Sequence, residues 1–148
     1  MKPQCCAAGL LFSAWCVVGC REERRIPNTT DVVSPEEHSV LAGSFVSGDT
    51  VDLAALLDEH LVVQPPSPDT SLRGAPARRY LLELAANTSV AESRFHPEIV
   101  QPEGSFAYEQ GLWELQTGSD RLLSRYVLRW RKTPVGWRVV LWRWGPFR

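Results

Sequence analysis

Glu109 is the acidic residue whose surroundings in the sequence best suit chemistry. In the stretch from Ala107 to Leu115, every second residue is small or apolar except Glu109 itself. Alternate residues of a β-strand share one face, so this face is predicted to be buried. A carboxylate on such a face could serve as a general base. The alternative is a structural glutamate that forms an ion pair with Arg125 or Arg129 of a neighbouring strand.

Aromatic residues form a second group of candidates. Trp142 and Trp144 are two positions apart in the final predicted strand, so their side chains share a face, while Trp113 shares the face of Glu109. Tyr80 is predicted to point inward from a helix, from where its hydroxyl could donate a hydrogen bond. A pocket of Tyr80, Trp113, Trp142 and Trp144 suits an apolar or planar ligand. The alternative is ordinary core packing.

Several other kinds of site are not predicted. The histidines His38, His60 and His96 lack the HxxxH and HxH spacings of metal ligands, so no metal is expected, nor any other cofactor. His96 falls on the polar face of its predicted strand. Residues 21–148 contain no cysteine and no phosphate-binding loop or nucleophilic serine motif. The net charge of −1 reflects no excess of basic residues, so no nucleic-acid partner is expected.

The first twenty residues contain all four cysteines of the chain, Cys5, Cys6, Cys16 and Cys20. A disulfide framework would have cysteines spread through the folded part, so these belong to a segment with a separate role. After Lys2, residues 5–18 are almost wholly apolar, a run shorter than the about 20 residues of a transmembrane helix. This pattern is typical of a secretory signal peptide.

The run ends in Val17-Val18-Gly19-Cys20, which resembles the lipobox of bacterial lipoproteins. The resemblance implies a diacylglycerol on the Cys20 thiol, cleavage before Cys20 and attachment to the membrane of the cell envelope. The outer membrane is favoured because Arg21 stands where an aspartate would mark retention at the inner membrane. The alternatives are an ordinary cleaved signal and an uncleaved short anchor. Residues 1–19 are interpreted as the signal peptide, 20–33 as the lipidated cysteine and tether, and 34–148 as one exported domain.

The domain is predicted to begin with helices and to continue as strands. Ser34, Pro35 and Glu37 form the pattern of a capping box, Gly48 ends that first helix, and Asp52 is expected to cap a second one. A third helix is predicted over residues 75–87, and strands over 60–64, 90–100, 105–117, 121–132 and 137–144. This order indicates an α+β fold in which a curved antiparallel meander wraps over the helices.

Four stretches of the domain occur in the order and spacing of a known family. They are Gly48-Asp49 followed by residues 56–66 (LLDEHLVVQPP), residues 72–74 (LRG), residues 104–113 (GSFAYEQGLW), and residues 126–132 (YVLRWRK) with 136–140 (GWRVV). Residues 34–147 thereby resemble the nuclear transport factor 2-like superfamily, in particular its SnoaL-like group that includes domain-of-unknown-function 4440. The resemblance implies a cystatin-like cone with a pocket at its open end. The family includes isomerases, dehydratases, cyclases and non-catalytic modules, so its fold alone assigns no function.

Two positions depart from the family pattern. Trp142 stands where many members have an aspartate, and Gln64 stands where ketosteroid isomerase has its base. Both departures put acid-base catalysis in doubt and favour a non-catalytic lipoprotein that binds a small apolar ligand or a protein partner. One alternative is an isomerase, dehydratase or cyclase with Glu109 as base and Tyr80 as donor. Another is a scaffold that forms a homodimer through an outer sheet face expected to carry Tyr108, Leu112, Tyr126, Leu128 and Trp130.

Overall fold

The structure is a computed structural model that describes residues 33–67 and 69–148. Its helices are α1 (Pro35–Ser47), α2 (Thr50–Leu56) and α3 (Ala75–Asn87), and its strands are β1 (Leu57–Gln64), β2 (Leu72–Arg73), β3 (Glu92–Glu103), β4 (Phe106–Thr117), β5 (Asp120–Thr133) and β6 (Gly136–Trp144). The strands form one curved sheet in the order β2-β1-β6-β5-β4-β3. None of the helices in these two ranges is long and apolar enough to cross a membrane.

The first two helices are delimited by side-chain caps and one glycine. Both hydrogen bonds of the predicted capping box at Ser34 are present, and Gly48 ends α1 in the left-handed conformation with φ of 68°. The cap of α2 is Asp49, whose Oδ1 accepts a hydrogen bond from the Val51 amide at 2.9 Å. The prediction of Asp52 as the cap was wrong. Asp49 follows the turn at Gly48 directly and is the last residue with extended backbone before the helix.

The sheet is mixed, because its first strand runs parallel to its last. Strands β3 to β6 form the predicted antiparallel meander, whereas β1 pairs with β6 in parallel, with Val63 opposite Trp142. The expectation of a purely antiparallel sheet was therefore wrong at β1. The chain leaves β1 through β2 and α3 and returns along the meander, a long-range pairing that periodicity within a segment does not specify.

The interior between the sheet and the helices contains many aromatic residues. The large side chains with less than 2% exposure include Trp113, Trp130, Trp142, Tyr126 and Phe45, and α1 and α3 pack over the buried face of the sheet. On β4, the predicted buried positions 107, 109, 111, 113 and 115 are all buried. The core of the domain therefore lies between the helices and the aromatic concave face.

Three residues expected on the outer face of the sheet lie in the core instead. Tyr126, Leu128 and Trp130 are buried because they stand opposite Gly111, Glu109 and Ala107 of β4, and directly opposed residues of an antiparallel pair share a face. Of the five residues predicted for a dimer surface, only Tyr108 and Leu112 alternate to the other face, where both are half-buried.

A bulge in β3 explains why residue 111, in the stretch 104–113 that resembles the family, is a glycine. The register of β3 against β4 shifts between Pro97 and Ile99, and an extra residue of this kind bends a strand. At the same level of the sheet, a Cβ on Gly111 would lie 2.1 Å from the carbonyl oxygen of His96. The bend at this point therefore depends on the absence of a side chain at position 111.

We predict that Gly111→Ala lowers the free energy of unfolding by on the order of 3 kcal/mol, since the two backbones would have to separate. Urea unfolding monitored by tryptophan fluorescence measures this change. The control is Gly43→Ala, because Gly43 lies inside α1 with no atom within 4 Å of its added Cβ. The control should stabilise the protein by about 0.5–1 kcal/mol, and equal effects of the two substitutions would refute the account.

Candidate functional site

Glu109 lies in the middle of β4, has no solvent exposure, and accepts hydrogen bonds from three side chains. The Tyr126 hydroxyl donates to Oε1 at 2.6 Å and the Trp130 Nε1 donates to Oε2 at 3.1 Å. Leu128 of β5 stands directly opposite Glu109. Tyr126 and Trp130 lie two positions on either side of Leu128, so both are diagonal neighbours of Glu109 on the same face of the sheet. The third partner, His38 of α1, places its Nε2 at 2.9 Å and 2.8 Å from the two carboxylate oxygens.

Both ring nitrogens of His38 face acceptors. Nε2 faces the Glu109 carboxylate, and Nδ1 lies 3.1 Å from the carbonyl oxygen of Ser34, one helical turn earlier. A doubly protonated imidazolium donates to both acceptors. Burial opposes the charge most strongly, but the hydrogen bond and the charge of Glu109, helped by the Ser34 carbonyl and the charge of Glu37, raise the pKa of His38 above its usual 6.5. His38 and Glu109 therefore form a largely buried ion pair.

Three neighbouring side chains hold the Glu109 carboxylate in place. The carboxylate already accepts from three donors, and burial, together with the nearby charge and hydrogen bond of Glu109, raises the pKa of the Tyr126 phenol, which keeps it a donor. The proposed ion pair with Arg125 or Arg129 does not form. These arginines lie on the opposite face, where Arg125 binds Glu98 at 2.6 Å and Arg129 lies 3.8 Å from Glu103.

Sequence reasoning missed His38, Tyr126 and Trp130 as partners of Glu109. For His38 a signal was present, because it stands three and seven positions before Leu41 and Phe45. Both of these residues are fully buried, and this spacing places all three on one helix face. For Tyr126 and Trp130, the decisive information is the register of β5 against β4, which the sequence pattern did not supply.

A separate cavity of about 180 Å³ lies between α1, α3 and the ends of β4 and β6. Its lining residues are mostly aromatic or aliphatic: Phe45, Pro66, Tyr80, Leu84, Thr88, Trp113, Leu115, Trp144 and Phe147. The structure thus brings together three of the four residues predicted for an aromatic pocket, namely Tyr80, Trp113 and Trp144.

Trp142, the fourth predicted pocket residue, does not line this cavity. It is fully buried, and its ring lies 5.8 Å from that of Phe45, 5.5 Å from Trp113 and 5.9 Å from Trp144. The indole Nε1 of Trp142 is buried and has no hydrogen-bond partner within the described part of the chain. Trp142 therefore fills the core behind the cavity.

The cavity offers little polar chemistry. The Thr88 hydroxyl donates to the carbonyl of Leu84, while the Tyr80 hydroxyl has no hydrogen-bond partner among residues 33–67 and 69–148. Among the described residues, no carboxylate or histidine belongs to the lining. Trp113 is four residues from Glu109, about 13 Å along the strand at about 3.3 Å per residue. The Phe95 ring stands between the two sites, 5.0 Å from Tyr126 and 5.2 Å from Trp113.

Two further polar clusters lie outside the aromatic core. Glu114 binds His96 at 2.8 Å and Arg121 at 2.5 Å, and these hydrogen bonds, that of Arg121 first, lower the pKa of Glu114 to about 2. Asp58 accepts a hydrogen bond from the His60 amide and pairs with Arg131. Across the described ranges, no three His, Cys, Asp or Glu side chains are grouped as metal ligands.

Comparisons with known proteins identify the fold of the domain. No protein-family model matches the chain, and no curated protein matches its sequence. A candidate association domain of calcium/calmodulin-dependent protein kinase type II from Thiobacillus denitrificans superposes with a TM-score of 0.66 at 17% identity, over 79% of this chain and 98% of that one. A candidate ketosteroid isomerase from Parabacteroides distasonis gives 0.60 at 14% identity, over 78% and 95%.

A third solved structure carries the family name itself. It is a nuclear transport factor 2-like protein of unknown function from Silicibacter pomeroyi, with a TM-score of 0.60 at 14% identity, over 76% of this chain and 91% of that one. The domain therefore has the nuclear transport factor 2-like α+β fold, and the prediction of this fold from the sequence is confirmed. At these identities the likeness extends to the fold alone.

We predict that the ion pair makes stability depend on pH through His38. Because its pKa is raised on folding, its contribution is complete below about pH 6.5 and is lost as the pH rises through the folded-state value. His38→Gln should therefore cost on the order of 3 kcal/mol at about pH 5.5 and clearly less at about pH 9. Urea unfolding of both proteins across this range measures the difference. His60 and His96 are present in both proteins, so they do not contribute to the difference in free energy of unfolding. A difference that stays constant with pH would contradict the assignment of the pH dependence to His38.

Proposed function

We propose that this chain is a non-catalytic binding module of the bacterial cell envelope that holds a small, planar, apolar ligand between Trp113 and Tyr80. The observation that carries the proposal is the cavity of about 180 Å³ whose lining is mostly aromatic and aliphatic. Tyr80, Leu84 and Phe147 at its edge are only half-buried, so the cavity is reachable from solvent.

The size of the cavity limits the ligand class. An engineered apolar cavity of about 150 Å³ binds benzene, so about 180 Å³ suits one aromatic ring or two small fused rings. The rings of Trp113 and Trp144 lie 5.9 Å apart at 82°, which offers a planar ligand both a face and an edge for contact. A single hydroxyl or similar group on the ligand could bond to the Tyr80 hydroxyl.

The alternative of an isomerase, dehydratase or cyclase finds less support. One structural neighbour is a candidate ketosteroid isomerase, yet the lining of this cavity contains no carboxylate or histidine that could exchange a proton. Glu109, the proposed base, is occupied by His38, Tyr126 and Trp130. A general base must reach the proton that it removes, and Glu109 does not contact the cavity.

The alternative of a homodimeric scaffold has less support than the binding function. One neighbour is a candidate kinase association domain, but most of the apolar residues expected on the outer sheet face are buried in the core. Salt bridges of Arg121, Arg125 and Arg129 cover much of β5 on that face. The outer face therefore presents paired charges where a stable dimer interface would carry an apolar centre.

The attachment to the envelope is proposed from the sequence, since Cys20 lies outside the described residues. The support is the apolar run that ends in Val17-Val18-Gly19-Cys20 and the charged residues that follow it. Acyl chains add about 0.8 kcal/mol of membrane affinity per buried CH₂. A tether over residues 20–33 would let the cavity face the surrounding solution while the chain stays at the membrane.

We predict that the full chain expressed in a bacterium carries lipid on Cys20 and is cleaved before it. Mass spectrometry of the membrane-extracted protein should find residue 20 at the N-terminus, with the mass of acyl groups added. Cys20→Ser should abolish the lipid and leave the precursor uncleaved, whereas Cys16→Ser, a matched change inside the apolar run, should leave both unchanged. Lipid on the Cys20→Ser protein would refute the lipobox assignment.

We predict that residues 21–148 bind phenol or 2-naphthol in the cavity, measured by isothermal titration calorimetry. Leu84→Trp should weaken binding by about tenfold or more, because the larger side chain would fill the space that the ligand needs. The matched control is Val135→Trp, which adds the same side chain at a position 76% exposed and outside the cavity lining. An absence of binding to every such probe, or equal loss in both variants, would count against the proposed site.

A further inference from the structure

The segment Gly145–Arg148, which we call the closing segment, continues beyond β6 alongside β5. The Gly145 amide donates to the Arg125 carbonyl at 2.9 Å, and Arg148 and Leu123 exchange two backbone hydrogen bonds of 3.0 Å each. These few hydrogen bonds hold the segment against the edge of β5 that β6 leaves uncovered. The closing segment therefore follows the line of the sheet without belonging to β6.

The pairing register between the closing segment and β5 is shifted by one residue. Trp144 stands opposite Tyr126, so regular pairing would place residue 147 opposite Leu123, yet Arg148 is the residue that pairs with Leu123. Pro146 and Phe147 therefore share the place opposite Ser124, as in a β-bulge. Pro146 has no amide to donate, and the Ser124 hydroxyl donates to the Gly145 carbonyl at 2.7 Å.

This slip decides which way Phe147 points. With regular pairing, Phe147 would alternate to the face opposite that of Trp144, because a shift of one residue exchanges the faces of a strand. With the slip, its ring lies 5.2 Å from that of Trp113 at 65° and lines the cavity, while Pro146 is exposed. Phe147 is half-buried and forms one wall of the site.

We propose that Phe147 is the specificity-determining residue of this cavity and sets the upper size limit of its ligand; this rests on the proposed function. Each of the other ring walls belongs to a helix or strand. Phe45, Trp113 and Trp144 contact one another or the Trp142 ring at 4.9–5.9 Å, and the ring of Tyr80, on α3, lies 6.3 Å from that of Trp144. Phe147 belongs to the short closing segment, and its ring contacts that of Trp113. Among the aromatic walls, Phe147 is the one that lies outside the helices and strands, so its removal enlarges the site without removing a side chain from a regular element.

The test compares three ligands of increasing size, phenol, 2-naphthol and 4-phenylphenol, by titration calorimetry with the wild-type protein, Phe147→Ala and Phe147→Leu. We expect Phe147→Ala to bind phenol more weakly and 4-phenylphenol more tightly, so that the ratio of their Kd values shifts by about tenfold or more toward the larger ligand. Phe147→Leu should shift the ratio partway. Phe106→Ala, the same change at a half-buried residue outside the lining, should leave the ratio unchanged.

The outcomes separate this inference from the proposed function. If the wild type binds the smaller probes and neither Phe147 variant changes the ratio, the size-limiting role is wrong while the binding function stands. If no protein binds any probe, the proposed function fails and the inference fails with it. Circular dichroism on each variant establishes folding. Should Phe147→Ala fail to fold, the ratio measured with Phe147→Leu decides.

Discussion

The ion pair between His38 and Glu109 is the interaction on which the rest of the interior depends. A buried carboxylate without partners would be very costly, and here three donors compensate it. The partner of Glu109 on a helix, His38, fixes the rotation of α1 against the sheet. The same rotation turns Leu41 and Phe45 inward, and the Phe45 ring, 4.9 Å from that of Trp113, becomes a wall of the cavity. The polar contact therefore positions an apolar site that it does not touch.

An aromatic layer divides the interior into two parts with different chemistry. Phe95 stacks on Trp113 at 5.2 Å and meets Tyr126 edge-on at 5.0 Å, so one ring contacts both the cavity wall and the polar group. On one side the ionisable groups satisfy one another, and on the other side the described residues that line the cavity include no carboxylate and no histidine. Proton transfer needs a titratable group beside the substrate, whereas binding a planar apolar molecule needs only shape and ring contacts. This division is the reason for which binding, and not catalysis, is proposed.

The features that could be predicted from the sequence are those that depend on local periodicity and helix capping. The sequence predicted α3 with its observed bounds and the buried face of β4 with Glu109 on it. It did not predict the partners of Glu109, because His38 is 71 residues away and the faces of Tyr126 and Trp130 follow from a pairing register. The parallel pairing of β1 with β6 and the two-residue β2 were missed for the same reason, since both depend on contacts between distant segments.

Trp142 stands where the family resemblance implies an aspartate, and it also shapes the interior beside the cavity. The family resemblance implies an aspartate at this position, but the site of Trp142 is fully buried among Phe45, Trp113 and Trp144. A carboxylate there would have aromatic rings around it, and its burial would be unfavourable without a counter-charge. The indole instead fills that volume, at the cost of one buried Nε1 without a hydrogen-bond partner in the described part of the chain. Trp142 thus stands where the family resemblance implies an acid, and it fills the volume behind the cavity beside Tyr80. Under the proposed function, the size of that cavity is the property by which the site selects its ligand.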